Sequence, residues 1–114
     1  MKKLALLFVL AIILMSCESD STDDLTIPAP DIITYTANVK SIIDQSCATS
    51  GCHDAATNTA GLTLETYAQV RNGFETRGAL ARMRSTSAPM PPTRNLPGTT
   101  IAIIAEWINQ GYLE

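Results

Sequence analysis

Apolar residues come first as an unbroken run, Leu4 to Leu14, and afterwards only at helical intervals. Val39, Ile42, Ile43 and Cys47 recur at the period of an α-helix, so a helix from about Thr36 carries a thiol on its apolar face, with Thr34 or Thr36 as its cap. Leu64 to Asn72 predicts a short second helix, capped by Thr63 and stopped by Gly73. Glu75 to Arg84 predicts a third, with Leu80 and Met83 on one face. The clearest opens at Gly98-Thr99-Thr100. Ile101, Ile104, Ala105 and Ile108 form its inner stripe, Trp107 lies beside them, and Asn109-Gln110-Gly111 ends it. Polar residues 55–61 and the proline-broken stretch 85–97 read as loops. No strand-like alternation competes, and the expected fold class is all-α.

The first apolar run has a different meaning. Lys2 and Lys3 precede its eleven residues, and small polar residues follow, the pattern of a secretory signal over residues 1–16. Eleven residues fall well short of the roughly 20 that span a bilayer as a helix. Leu14-Met15-Ser16-Cys17 resembles a bacterial lipobox, which implies that Cys17 receives lipid and becomes the first mature residue. Acidic and small residues then run to two prolines, Pro28 and Pro30, so residues 17–31 read as a lipidated cysteine and a flexible tether. Residues 32–114 remain as one small domain, exported and held to a bacterial membrane by lipid, facing the periplasm or the cell surface.

Charge narrows the partners. The whole chain carries −3. Loss of the signal lysines takes it to −5, and Glu18, Asp20, Asp23 and Asp24 lie in the tether, which leaves Asp31 to Glu114 at −1. Nothing is basic enough for nucleic acid.

A chain this short often borrows a disulfide, metal or cofactor to complete its core. Its chemistry lies in Cys47-Ala-Thr-Ser-Gly-Cys52-His53, two thiols followed by the only histidine. Thiols that add across the vinyl groups of a haem, with an adjacent imidazole for the iron, use this kind of constellation. Four residues separate the thiols instead of the usual two. Five helical steps turn the second thiol about 140° from the first, so the segment must bulge, and Gly51 is the permissive point. His53 is then the candidate proximal ligand. Met90, in Ala88-Pro89-Met90-Pro91-Pro92, is the candidate distal ligand, because the prolines hold an extended backbone that aims a soft sulfur. Met83 reads as core packing, and Trp107 and Tyr67 likewise. Arg82, Arg84 and Arg94 are candidates to neutralise haem propionates, with no reason to choose among them. Giving Cys17 to lipid and the other two to haem leaves no unpaired thiol. The alternatives are a Cys47–Cys52 disulfide in a binding or structural lipoprotein, a zinc site short of its usual four ligands, and a haem sensor or catalytic centre with an open distal position.

Tyr35-x-x-x-Val39-x-x-Ile42-Ile43-x-x-x-Cys47, Cys52-His53, Gly61-Leu62-x-Leu64-x-x-Tyr67, Met90-Pro91-Pro92 and Glu106-Trp107-Ile108-x-x-Gly111 together resemble a class I-type bacterial cytochrome c domain over about residues 33–112. The departure is the longer gap between cysteines, which bears on recognition by the haem-attachment machinery. The resemblance implies a small helical domain around one covalently bound haem c per chain. Cys47 and Cys52 would form thioethers, His53 and Met90 would bind iron, and the first and last helices would pack together beside the haem. It also implies an electron carrier between exported redox donor and acceptor proteins. Neither a second histidine nor a carboxylate suited to acid–base work points to an enzyme.

Overall fold

The computed structural model describes residues 31–114, one compact unit. The signal sequence, the lipidation of Cys17 and nearly all of the tether lie outside the described residues. Among the described residues there are helices and no strands, and no helix is long and apolar enough to cross a membrane.

Helix α1 opens with a π-helical turn, Tyr35–Val39, and continues as Lys40–Ser46. Thr34 caps it, its hydroxyl accepting from the Ala37 amide at 3.2 Å. Tyr35, Val39 and Ile43 form a buried row four residues apart, and Cys47, the next in that row, ends the helix. Val39 and Ile43 of the expected row are therefore present and lead to the Cys47 thiol, while Tyr35 joins them and Ile42 is only half-buried.

Helix α2, Tyr67–Thr76, starts three residues later than Leu64. Thr66 and Gln69 satisfy each other's backbone amides in a capping box, a stronger start signal than Thr63. Gly73 is not a terminator. It is buried inside α2, where a Cβ would sit 3.1 Å from Leu64 Cδ2 and 3.6 Å from Leu62 Cδ1. Close approach of two segments, and not a helix end, explains this glycine.

The expected helix over Glu75 to Arg84 is broken in two. Gly78 adopts a left-handed conformation, φ +66°, that ends the run from α2 and starts α3, Ala79–Arg84. Met83 is buried as expected and Leu80 is half-buried.

Helix α4, Gly98–Asn109, agrees with the sequence reading at both ends. Its inner face is turned slightly from the expected stripe: Ile104 and Trp107 are fully buried, whereas Ile101, Ala105 and Ile108 are half-buried. Trp107 is thus central. Tyr35, Tyr67, Phe74 and Tyr112 surround its ring at centroid distances of 6.1, 6.5, 5.9 and 5.0 Å. Its Nε1–H donates to the Leu113 carbonyl at 2.7 Å, and the same carbonyl accepts from the Tyr35 amide at 2.8 Å. Gln110 binds both Asp31 and Ile33, so the two chain ends of the domain are sewn together. Core packing is the role of Trp107 and Tyr67, and neither lines the cavity described next.

Candidate functional site

Cys47 leaves α1 with its amide bonded to the Ile43 carbonyl at 2.8 Å. The chain then bulges as its spacing demands. Gly51 takes φ +84°, the Cys52 amide returns to Thr49 O at 3.0 Å, and the His53 amide closes the loop on Cys47 O at 3.0 Å. Cys47, Cys52 and His53 are all half-buried, and both cysteines are free thiols. Burial pushes the Cys47 thiol from 9.0 to about 11, and the charge of Cys52 adds to the shift.

The ring of His53 is fixed. Its Nδ1 lies 2.9 Å from the Leu62 carbonyl, an atom that can only accept, so Nδ1 is the donor, and in the neutral imidazole Nε2 keeps the lone pair. Its backbone carbonyl accepts from the Leu64 amide at 2.9 Å. Segment 62–64 therefore grips His53 through both ring and main chain. Asp54 acts only in its loop: it accepts from the Thr57 amide at 3.3 Å, and hydrogen bonding to Thr57 holds its carboxyl below its ordinary value.

Met90 arrives from the other side. Its amide donates to Arg82 O at 3.1 Å, which ties the proline-rich loop to the end of α3. Met90, distant in sequence, joins Cys47 and His53 at the border of one cavity of about 280 Å³. Leu62, Leu64, Phe74, Ala79 and Met83 complete much of its apolar wall. An adjoining cavity of about 130 Å³ shares Cys47, His53 and Met90 and adds Cys52, Pro91 and Pro92. Cys47, His53 and Met90 thus border both cavities, and Cys52 borders the smaller one.

Sequence reasoning missed Phe74 and Arg77 at this wall. Leu62-x-Leu64 had a readable signal, since alternate residues of an extended segment share a face. Phe74 had none, because only the packing of α2 decides which side of that helix meets the cavity. Of the candidate arginines, Arg82 borders the cavity of about 280 Å³ and Arg77 joins it. Arg94 lies instead on a groove with Cys52, Pro91 and Pro92, and Arg84 borders neither. Among the described residues no three His, Cys, Asp or Glu side chains converge as a metal-binding set.

Compared with models of protein families, with curated proteins and with solved structures, the chain matches none.

Proposed function

We propose that this chain is an exported, lipid-anchored monohaem c-type cytochrome that passes single electrons between redox partner proteins. The observation that carries this reading is the convergence of Cys47, His53 and Met90 on one apolar cavity, with the His53 tautomer fixed by Leu62.

The donor set suits the group. Two thiols border the space for thioether formation, an imidazole offers Nε2, and a thioether sulfur stands on a loop tied to Arg82. A flat apolar group spanning the two adjoining cavities would touch all four residues. When bound, haem supplies a one-electron iron couple, and thioether ligation raises its potential relative to two imidazoles.

The chain's own residues do the rest. His53 and Met90 would both hold the iron, which would leave no place for a substrate and would favour outer-sphere transfer over catalysis. The Leu62 carbonyl orients His53 and raises its basicity as a ligand. Leu62, Leu64, Phe74 and Met83 present an apolar wall to the same space. Cys17 would fasten the carrier to the membrane through lipid, with the acidic tether letting it reach its donor and acceptor.

Expression of the full chain with haem-maturation machinery tests this directly. A denaturing gel should show covalent haem, lost in Cys47→Ser or Cys52→Ser. Met90→Ala should keep the haem attached, open a coordination position and lower the potential. A parent without a tetrapyrrole adduct would end the reading, and a Met90→Ala protein with the parent spectrum would remove Met90 as ligand.

A further inference from the structure

The segment that orients His53 is itself held from outside. Asn58, Ala60 and Gly61 adopt left-handed conformations, with φ of +46°, +57° and +67°. Asparagine tolerates this region but alanine avoids it, so Ala60 stores strain that neighbouring contacts must hold in place. Local amide bonds, Gly61 to Asn58 O and Leu62 to Thr59 O, supply part of that. The remainder comes from one face of α2. Gly73, inside the last turn of α2, and Arg77, the residue just after the helix, are one turn apart. The missing side chain at Gly73 lets Leu62 and Leu64 seat against the helix. Arg77 Nη2 donates to the Ala60 carbonyl at 2.9 Å, across the rim of the cavity that both residues border.

From these contacts we infer that Gly73 and Arg77 form a positioning face for the iron ligand. They clamp residues 60–64, and through the Leu62 carbonyl they set the hydrogen bond to His53 Nδ1. The inference rests on the cytochrome reading for its redox consequence. Its physical basis is a continuous path: Arg77 to Ala60 O, two residues along the chain to Leu62 O, and from there to the imidazole. A firm Nδ1–H···O bond pushes electron density toward Nε2, which favours ferric iron and lowers the potential. Loosening it raises the potential. The charge of Arg77 acts with the opposite sign, since deleting a nearby cation favours the ferric state and lowers the potential. The two roles are therefore separable by direction.

The test uses the haem-loaded full chain and the variants Arg77→Ala, Arg77→Lys and Gly73→Ala. In each ferrous protein, proton NMR follows solvent exchange of the His53 Nδ1–H, and voltammetry gives the potential. Arg77→Ala should speed exchange about fivefold, the factor expected when one ordinary hydrogen bond is lost, and should raise the potential. Arg77→Lys should fall between it and the parent. Gly73→Ala, which changes no charge, should move both readouts in the same direction as Arg77→Ala. Arg77 is exposed, so its variants fold even if Gly73→Ala does not. Unchanged exchange in Arg77→Ala overturns the inference. So does a lowered potential in Arg77→Ala with Arg77→Lys matching the parent, the signature of charge alone. A parent that carries haem while its variants stay unmoved sinks only this inference, whereas a parent without haem sinks the cytochrome reading as well.

Discussion

Replacing Trp107 with phenylalanine separates the scaffold from the site. Trp107 is fully buried, makes one indole hydrogen bond, and meets four aromatic rings. Phenylalanine keeps an aromatic body but removes about three ring atoms, worth roughly 2 kcal/mol at ~0.8 kcal/mol per buried carbon. The lost indole bond adds about 1 kcal/mol. Leu113 O is not orphaned by the change, because it still accepts from the Tyr35 amide. The sum, about 2–3 kcal/mol, corresponds to a fall in Tm of roughly 10–20 °C for a domain of this size. Circular dichroism at 222 nm against temperature measures it. Trp107 borders neither cavity that holds the candidate ligands, so the visible spectrum of the folded variant should match the parent. A loss below about 0.5 kcal/mol would refute the packing argument, since surface substitutions stay within that range. A changed spectrum with an unchanged Tm would refute the separation of scaffold from site.

Other outcomes follow from single groups. The Tyr35 hydroxyl is buried without a protein hydrogen-bond partner, so Tyr35→Phe should leave stability unchanged or raise it by up to about 1 kcal/mol, and a fall in Tm would contradict that. In haem-free protein the Cys47 thiol ionises near 9.0 when unfolded and near about 11 when folded. Between those values the unfolded state binds fewer protons, so stability is full below pH 9 and falls as pH rises, by up to about 3 kcal/mol. Urea midpoints at pH 8 and pH 11, compared with Cys47→Ala to remove other titrations, measure this. A variant with the same pH dependence as the parent would show that the thiol is not buried as described. Thioether formation at Cys47 should abolish the effect.

Helix ends were legible where a side chain or glycine acts locally. Thr34 caps α1 and Gly111 follows α4 because those signals involve neighbouring residues only. From the sequence Gly73 reads as a helix end and Gly78 does not, for one reason. Gly73 and Gly78 are five residues apart, and either can end a helix. Only the approach of Leu62 and Leu64 to α2 makes Gly73 a contact point and leaves the termination to Gly78. Trp107 shows the same limit of periodicity. The stripe of α4 could be drawn to within one residue position, but which residue faces the centre depends on rings brought by Tyr35, Tyr67, Phe74 and Tyr112.

The sequence by itself determined the helical class, the bulge between the two thiols, and the residue types that could bind a metal or attach to a porphyrin. These depend on spacing, backbone freedom and side-chain chemistry, all local properties. Tertiary structure alone decided that Met90 meets Cys47 and His53 at one cavity, that Leu62 fixes the imidazole proton, and that Phe74 and Arg77 line the wall. Those relations join residues far apart in the chain, and only the packing of segment 60–64 and the Met90 loop against α2 and α3 brings them within reach.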